Sequence, residues 1–461
     1  MKHNLIMDSL IVQTDSYKVG QHLQYVPNLE NLYSYFESRG GSFPETTMFG
    51  LNYYLKRYLS NPITMEQIDY AEKRFNLHFG NTRSFNRKGW ERIVTVHNGM
   101  LPLVIKAAPE GLTVPTRNVL FTITNTDPQL PWLTNYMETL LSKIWYPITV
   151  CTHSREMKKL ILKYLEDTGT PESIDFKLHD FGYRGVSCEE SAMIGGMAHL
   201  VNFKGTDTFA AVEGAWEYYN EEMAGFSINA AEHSTITSWG EAHEYEAYQN
   251  MIKQFGNDAI YAVVSDSYNI FTACDEIWGK MLKQQVLDAP GILVIRPDSG
   301  VPHEVDRQVI ETLGARFGYT TNDKGYKVLN KVRVIQGDGI DRPETERILE
   351  ALKIRGWSAD NISFGSGGAL LQKFDRDTCK FALKASSETV KGEIRDVFKS
   401  PVTDNGKRSK KGMLKLIYNT DGVLETVSIH TPGKDVLETV WENGKLLVDP
   451  TFAEIRERAA L

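Results

Sequence analysis

From about residue 150 onwards, short apolar runs alternate with segments of helical periodicity. Seven runs have the length of a β-strand, and in chain order they are IDFKLHDF, HLVNFKGTD, FSINAAEH, AIYAVVSD, GILVIRPD, VRVIQGD and NISFGS. Segments between them, such as EAHEYEAYQNMIKQFG and RPETERILEALKIRGW, repeat apolar residues at helical spacing. This alternation predicts a parallel sheet. Seven or so units within about 230 residues favour a closed or nearly closed TIM-like α/β barrel.

The chain on either side of this region has a different pattern. Residues 90 to 150 contain three short runs, RIVTVHNG, LPLVIKAAPEG and VPTRNVLFTITNT, which favour antiparallel strands because turn residues separate them. After residue 400 the chain is polar and then strand-like again. We therefore predict an α/β barrel domain over 151–384 and a discontinuous mixed α+β domain over 1–150 plus 385–461.

Charge and cysteine content exclude several classes of protein. The chain has 51 Lys and Arg against 59 Asp and Glu, a net charge of −8, which opposes nonspecific nucleic-acid binding but allows a local basic patch. The four cysteines are widely spaced without a CxxC pair, so neither a zinc site nor a disulfide framework is predicted. With no signal-peptide pattern and no apolar run of about 18 residues, we expect a cytoplasmic protein without membrane spans.

Nearly every apolar run in the second half ends in polar, charged or glycine residues. These are Asp180, Arg184, Asp207, Glu232, His233, Ser265, Asp266, Arg296, Asp298, Gly337, Asp338, Gly339, Gly365, Ser366, Gly367 and Gly368. A single Asp or Ser in such a place is most often a helix cap. Capping does not explain Arg184, His233 and Arg296, however. Because the carboxyl ends of barrel strands converge on one mouth, the set predicts an active site there.

Glycines give this mouth a more specific chemistry. FGSGG and QGDGI each follow a predicted strand, where backbone N–H groups can approach a phosphate without a Cβ in the way. One such loop is commonly only a turn, but two on successive strands are typical of phosphate-binding loops late in a barrel. The chain lacks GxxxxGK[ST] and lacks GxGxxG after a first strand, which opposes a Walker-type ATPase or a dinucleotide-binding domain.

Nine short motifs, taken together, resemble the nicotinamide phosphoribosyltransferase family. In chain order they are TDSYK, KLHDFGYRG, NFKGTDT, AAEHSTIT, VVSDSY, IRPDSG, QGDG, FGSGG followed by LLQK, and KRSKKG, from residue 14 to residue 412. The resemblance implies the irregular TIM-like α/β barrel of type II phosphoribosyltransferases with a second mixed α+β domain. It also implies a homodimer with active sites shared between subunits. The implied reaction, a pentosyl transfer in NAD biosynthesis and salvage, forms nicotinamide mononucleotide and pyrophosphate from nicotinamide and phosphoribosyl pyrophosphate.

The resemblance assigns residues to the pyridine base. Phe181 matches a stacking residue on one face of the ring, and Tyr17 of the other subunit matches the second wall. Asp207 matches a carboxylate that accepts a hydrogen bond from the carboxamide and would repel nicotinate. Arg296 and Arg184 match arginines lining the same pocket.

Other matches concern the phosphates and their charge. Residues that match the family's ribose- and phosphate-binding positions are Gly337, Asp338, Gly367, Gly368, Arg39, Arg376, Lys384 and Lys399, several of the basic ones across the dimer interface. Mg²⁺ is the expected counter-ion, with Asp266 and Asp298 as direct or water-mediated ligands. The alternative for these aspartates is that they orient arginines.

His233 matches a histidine that ATP, as a co-substrate, phosphorylates in this family. We expect Glu232 to orient its imidazole, and His233, Asp298, Glu232 and Asp266 to form the catalytic group. The chain departs from the family pattern at Asn229, Ala369 and Ala382.

Three rival readings remain open at this point. A nicotinate or quinolinate phosphoribosyltransferase of the same fold is opposed by the negative charge of Asp207. A non-catalytic binding protein is opposed by the presence of His233 and the carboxylates. A sugar-phosphate isomerase or aldolase barrel would turn over its substrate without a pyridine base.

Overall fold

The computed structural model describes residues 9–403 and 408–461, which form two compact units. The first unit comprises 9–152, 218–220, 374–403 and 408–460, and the second comprises 153–217, 221–373 and Leu461. The first unit resumes about ten residues before the predicted boundary at 384, because the strand Phe381–Val390 pairs within its sheet.

The strands, in chain order, are β1 (Leu29–Ser38), β2 (Glu45–Thr47), β3 (Leu103–Ala107), β4 (Thr113–Pro115), β5 (Val119–Asn125), β6 (Leu178–Asp180), β7 (Gly205–Thr206), β8 (Ile260–Val264), β9 (Ile292–Arg296), β10 (Tyr319–Thr321), β11 (Lys327–Leu329), β12 (Val332–Gln336), β13 (Ile362–Ser366), β14 (Phe381–Val390), β15 (Glu393–Asp396), β16 (Leu414–Tyr418), β17 (Leu424–Ser428), β18 (Glu438–Glu442) and β19 (Lys445–Leu446).

The α-helices are α1 (Leu51–Tyr54), α2 (Met65–Phe79), α3 (Arg87–His97), α4 (Leu133–Tyr136), α5 (Glu138–Ser142), α6 (Trp145–Thr168), α7 (Glu189–Leu200), α8 (Phe209–Tyr219), α9 (His233–Thr237), α10 (Glu244–Phe255), α11 (Ile270–Thr272), α12 (Lys283–Asp288), α13 (Pro302–Phe317), α14 (Arg342–Ile354), α15 (Gly368–Leu371) and α16 (Phe452–Ala459). None of the helices in the described ranges is both long and apolar enough to cross a membrane.

The first unit is built on a seven-stranded antiparallel sheet with the order β15-β14-β1-β5-β3-β18-β19. β1 pairs with β14 and β3 pairs with β18, so the C-terminal segment completes a sheet begun near the N-terminus. The predicted antiparallel strands in LPLVIKAAPEG and VPTRNVLFTITNT are confirmed, since β3 pairs antiparallel with β5.

The strand predicted for RIVTVHNG is wrong, because this segment lies in α3. The side chain of Asn86 caps the helix by accepting a hydrogen bond from the backbone N–H of Gly89 at 3.1 Å. Trp90 and Ile93, three residues apart, are the buried residues of this helix. Burial therefore follows the helical period, which outweighs the β-branched composition.

The second unit contains a six-stranded parallel sheet with the order β7-β6-β13-β12-β9-β8. Its two edges are joined by FSINAAEH, in which Phe226 accepts a hydrogen bond from the backbone N–H of Thr206 at 2.9 Å and Ala231 donates one to Ala262 at 2.9 Å. The segment crosses from one edge strand to the other, so it forms single bridges rather than the predicted ladder. The predicted irregular barrel is confirmed.

HLVNFKGTD is a strand only at Gly205–Thr206, because His199 and Leu200 are the last residues of α7. Inside the barrel, Ala262 of β8, Val294 of β9 and Ile335 of β12 form a buried apolar cluster. Phe181 packs against this cluster from the loop after β6, which places an aromatic ring at the carboxyl ends of the strands.

Candidate active site

The predicted strand-end residues of the second unit lie at the carboxyl-terminal end of the parallel sheet. Asp180 ends β6 and Asp207 directly follows β7, whose Thr206 pairs with Asp180. Arg296 ends β9, and Gly337 directly follows β12. Because all six strands run parallel, their carboxyl ends lie at the same end of the sheet, as expected for a barrel active site.

His233, the first residue of α9, belongs to a network of charged side chains. Its Nε2 lies 3.0 Å from Oδ1 of Asp266, and its Nδ1 lies 3.9 Å from Oδ2 of Asp298. Arg296 directs Nε and Nη2 at Oδ1 of Asp298, at 3.2 and 2.9 Å. The imidazole is 46% exposed whereas the Asp266 side chain is only 4% exposed. A fixed, buried carboxylate thus orients an accessible imidazole.

Asp266 is itself held in place through its second oxygen. Oδ2 accepts hydrogen bonds from the backbone N–H of Asp298 at 3.1 Å and from the hydroxyl of Ser299 at 2.6 Å. With Oδ1 on His233, both oxygens are engaged. If Nε2–H donates to Asp266, the lone pair of Nδ1 is the free nucleophilic position of His233.

The expectation that Glu232 orients the imidazole is corrected by the structure. The Glu232 carboxylate accepts a hydrogen bond from the hydroxyl of Ser234, and Glu232 is the residue that precedes α9. The partner of the imidazole is Asp266, which lies 33 residues further along the chain. The position of Glu232 next to His233 in the sequence was misleading, because the end of β8 brings Asp266 to the histidine.

Phe181 forms a flat platform beside this network. Its backbone N–H donates to the carbonyl of Ser366 at 3.0 Å, and the guanidinium carbon of Arg296 lies 5.9 Å from its ring centroid. An added Cβ on Gly365 would lie 2.0 Å from the ring, so the platform requires glycine there. The structure thus places an aromatic face and a cation together, which suits a planar ligand.

Asp180 is hydrogen-bonded to the loop that carries Phe181. Its carboxylate accepts from the backbone N–H of Gly182 at 2.7 Å, and its carbonyl accepts from the backbone N–H of Asp207 at 2.9 Å. Burial raises the pKa of Asp180 to about 6, and the hydrogen bond from Gly182 acts in the opposite direction. Asp180 therefore connects the aromatic platform to Asp207.

Asp207 is exposed and receives a hydrogen bond from an unpredicted residue. The Ser227 hydroxyl donates to Oδ1 of Asp207 at 2.5 Å. Asp207 also lines a cavity of about 390 Å³ with the apolar side chains of Phe209, Met223 and Phe226. No sequence signal pointed to Ser227, which follows Phe226 in the segment that joins the two edges of the barrel.

The glycine loops and Arg184 complete the predicted set in this unit. A Cβ on Gly337 would lie 3.0 Å from Nε of Arg296, and one on Gly367 would lie 3.3 Å from the carbonyl of Phe181, whereas one on Gly368 would meet open space. Asp338 is exposed, and its carbonyl accepts from the side-chain amide of Gln336 at 2.9 Å. Arg184 is exposed on the 3-10 turn Tyr183–Gly185.

All four predicted phosphate-binding basic residues of the first unit line one cavity of about 540 Å³. Six cationic residues and two acidic residues contribute to it: Arg39, Arg117, Arg376, Lys380, Lys384 and Lys399, with Glu138 and Asp377. This excess of positive charge contrasts with the net charge of −8 of the whole chain. The charge of the cavity lining therefore favours anions.

Arg39 is fixed at this cavity by a buried carboxylate. Its Nε donates to Glu37 at 3.0 Å, and Lys410 donates to the other oxygen of Glu37 at 2.6 Å. Nη2 of Arg39 is buried without a hydrogen-bond partner among the described residues. Lys410 belongs to KRSKKG, whose first residue, Lys407, lies outside the described residues. Tyr17, also in the first unit, is 63% exposed.

Asp266 and Asp298 fit a Mg²⁺ site only if substrate phosphates supply some of the ligands. No group of three or more His, Cys, Asp or Glu side chains suited to a metal occurs within residues 9–403 and 408–461. Both oxygens of Asp266 are engaged, whereas Oδ2 of Asp298 has the loose 3.9 Å contact with His233. Mg²⁺ is commonly held by one or two carboxylates together with substrate phosphates and waters, and Asp298 suits that role.

Comparison with known proteins places these observations in a family. A family model described as the nicotinate phosphoribosyltransferase (NAPRTase) family matches residues 176–445, more than half of the 461 residues. A second, described as the nicotinamide phosphoribosyltransferase N-terminal domain, matches residues 9–105. The chain is 48% identical to the nicotinamide phosphoribosyltransferase of Xanthomonas campestris over 98% of both chains. It is 33% identical to that of Acinetobacter baylyi over 97% of this chain and 96% of the relative.

Solved structures agree at the level of fold. The nicotinate-nucleotide pyrophosphorylase of Pyrococcus furiosus superposes with a TM-score of 0.63 at 15% identity, covering 100% of this chain and 95% of that chain. Human nicotinic acid phosphoribosyltransferase gives a TM-score of 0.54 at 14% identity, covering 97% and 92%. These neighbours establish the type II phosphoribosyltransferase fold.

Proposed function

The chain belongs to the nicotinamide phosphoribosyltransferase family of enzymes, and on that premise we propose that it joins nicotinamide to phosphoribosyl pyrophosphate. The products are nicotinamide mononucleotide and pyrophosphate, within NAD biosynthesis and salvage. The observation that carries the proposal is the pairing of an aromatic platform, Phe181, with an exposed carboxylate, Asp207, at adjacent strand ends.

Recognition of the base follows from these two groups. The pyridine ring stacks on Phe181, and its carboxamide NH₂ donates to Asp207, whose position the Ser227 hydroxyl fixes. Arg296 and Arg184 line the same pocket. Nicotinate carries a carboxylate at the same position on the ring, so its approach to Asp207 places two negative charges together.

Transfer forms the bond between the pyridine nitrogen and C1 of the ribose while the bond from C1 to the pyrophosphate oxygen breaks. The glycine loops at Gly337–Asp338 and Gly367–Gly368 bind the ribose and its 5′-phosphate through backbone N–H groups. Arg39, Arg376, Lys384 and Lys399 bind phosphate oxygens in the basic cavity. Asp298, with Asp266 as a further ligand, would hold Mg²⁺, which would supply positive charge to the departing pyrophosphate.

A base-selectivity assay tests this function. We expect mononucleotide and pyrophosphate to form from phosphoribosyl pyrophosphate, MgCl₂ and nicotinamide. With nicotinate we expect kcat/KM to be at least ~100-fold lower, because the like-charge contact costs several kcal/mol. Product is measured by chromatography with each pyridine base in turn. Equal use of nicotinate would assign the chain to the alternative, a nicotinate phosphoribosyltransferase of the same fold.

We further propose that ATP phosphorylates His233. Nδ1 attacks the γ-phosphorus, the bond to ADP breaks, and later transfer of the phosphoryl group to water regenerates the imidazole. Asp266 holds Nε2, at 3.0 Å, and so leaves Nδ1 as the attacking atom. The phosphoryl group adds negative charge beside Asp298, which favours Mg²⁺ and the product-side complex.

His233→Ala is expected to abolish labelling by γ-labelled ATP and the rise in mononucleotide yield that ATP gives the wild type. A slow reaction without ATP should persist, because glycosyl transfer needs only the base pocket, Mg²⁺ and the phosphate contacts. The label should be acid-labile and base-stable. Glu232→Gln serves as the control, since its side chain contacts Ser234 rather than the imidazole, and it should keep the label. Acid-labile label on the His233→Ala variant would assign the phosphate to another residue.

We propose a homodimer in which each active site uses both chains. Tyr17 and the basic cavity belong to the first unit, whereas Asp207 and His233 belong to the second. Exposed apolar side chains surround Asp207, which is typical of a surface covered by a partner.

Mixing Tyr17→Ala chains with His233→Ala chains is expected to restore the ATP-stimulated activity, which neither homodimer has. Random pairing of equal amounts makes half of the dimers mixed, each with one intact site, so about a quarter of the wild-type activity should return. Two affinity tags allow the mixed dimer to be purified and assayed. A verified mixed dimer without ATP-stimulated activity would contradict sharing of the site.

A further inference from the structure

The chain segment that carries Tyr17 is held to the end of α4 and the start of α5 by several hydrogen bonds. The Thr14 hydroxyl donates to the carbonyl of Tyr136 at 3.3 Å. The Thr139 hydroxyl accepts from the backbone N–H of Asp15 at 3.0 Å and donates to its carboxylate at 2.7 Å. These contacts fix one end of the segment 14–18, and Tyr17 itself remains exposed.

The other end of this segment is fixed by an ion pair. Nζ of Lys18 lies 2.6 Å from Oε2 of Glu138, and the Lys18 side chain is only 3% exposed. The same Nζ lies 5.3 Å from the ring centroid of Tyr17. A buried lysine without its carboxylate is unfavourable, so the position of Lys18, and with it that of Tyr17, depends on Glu138.

Glu138 also lines the basic cavity, where it has a second, looser partner. Its Oε1 lies 3.7 Å from Nζ of Lys384, beyond hydrogen-bond distance, and these side chains are 25% and 36% exposed. Burial lowers the pKa of Lys384, and the charge of Glu138 acts in the opposite direction. The two oxygens of one carboxylate therefore face two different cations.

We propose that Glu138 is a positioning residue that connects anion binding in the basic cavity to the placement of Tyr17. An anion entering the cavity competes with Glu138 for Lys384 at the loose contact, while the tight contact with Lys18 persists. Glu138 thus opposes the anion by its charge and supports the aromatic wall by its hydrogen bond. The inference rests on the proposed function for the identity of the two ligands, pyrophosphate and nicotinamide.

Glu138→Gln is expected to change the two affinities in opposite directions. Removing the negative charge should lower the Kd of inorganic pyrophosphate about threefold. Weakening the contact with Lys18 should raise the KM for nicotinamide about tenfold, with a smaller change in kcat. Titration calorimetry with pyrophosphate and steady-state kinetics give the two values. A residue with a merely structural role would weaken both.

Lys18→Met provides a second variant that keeps the charge of Glu138 in the cavity. It should raise the KM for nicotinamide, as Glu138→Gln does. It should weaken pyrophosphate binding, whereas Glu138→Gln should strengthen it. Glu72→Gln is the matched control, because Glu72 pairs with Arg87 at 2.6 Å in the same unit and does not line the cavity. We expect neither value to change in this control.

The outcomes separate the inference from the proposed function. If the wild type turns over nicotinamide but Glu138→Gln behaves like Glu72→Gln, or raises both the Kd of pyrophosphate and the KM for nicotinamide, the proposed role of Glu138 is wrong. The proposed function is then unaffected. If the wild type neither binds pyrophosphate nor uses nicotinamide, the proposed function is wrong and the inference falls with it.

Discussion

Gly365→Ala is expected to raise the KM for nicotinamide by at least about tenfold and to lower stability by about 1–3 kcal/mol. An added Cβ would lie 2.0 Å from Cε2 and 2.2 Å from Cδ2 of the Phe181 ring, so the ring has to move. The backbone of Phe181 is held by Ser366 at 3.0 Å, so the side chain moves rather than the strand end. Its displacement removes the face on which the pyridine ring stacks.

Thermal melting and steady-state kinetics measure the two effects, and a double variant separates their causes. Removing the ring in Phe181→Ala removes the clash, so adding Gly365→Ala to it should cost little further stability. Gly20→Ala is a matched glycine control, because a Cβ there has nothing within 4 Å. Additive losses in the double variant would show that Gly365 matters for a reason other than the ring.

The role of Gly365 also shows where sequence reasoning ends. FGSGG was predicted to be a phosphate-binding loop, and for Gly367 and Gly368 this stays a prediction. Gly365 is required by the parallel pairing of β13 with β6, in which Gly365 lies opposite His179 and Ser366 opposite Asp180. This register brings the Phe181 ring over Gly365, and a register between strands far apart in the chain cannot be read from either strand alone.

The barrel was predictable because its signals are local. Apolar runs bounded by polar residues mark β8, β9, β12 and β13, and helical periodicity marks the helices between them. RIVTVHNG failed because β-branched residues favoured a strand, whereas the cap at Asn86 and burial at Trp90 and Ile93 favoured a helix. FSINAAEH was detected as a strand, but its role in joining both sheet edges depends on partners it meets only in the fold.

The residues of the site could also be predicted, whereas the contacts between them could not. Residue types at strand ends identified His233, Asp266, Arg296 and Asp298 as candidates, since each follows or ends an apolar run. Which of them touch was not predictable, and the neighbour in sequence, Glu232, proved to be a partner of Ser234 rather than of the imidazole. The basic residues of the first unit were found by resemblance alone, and their common cavity depends on the fold.

The second large effect is expected from Asp207→Asn, which should reduce the preference for nicotinamide over nicotinate by about 10- to 100-fold. The carboxylate accepts from the carboxamide NH₂ and repels the carboxylate of nicotinate, and an asparagine side chain can donate to that carboxylate instead. The like-charge contact is worth several kcal/mol, and each 1.4 kcal/mol changes kcat/KM about tenfold. The measurement is kcat/KM for both bases with the wild type and the variant.

Ser227→Ala distinguishes the charge of Asp207 from its placement. Ser227 donates to Oδ1 of Asp207 at 2.5 Å, so its removal loosens the carboxylate but leaves the negative charge in the pocket. This variant should raise the KM for nicotinamide several-fold, because the carboxylate loses a partner that holds it in place but still accepts from the carboxamide, and it should still discriminate against nicotinate. Selectivity lost in Asp207→Asn and kept in Ser227→Ala assigns discrimination to charge. If both variants keep the wild-type ratio, a different group selects the base, and Arg296 beside the Phe181 ring is then the nearest candidate.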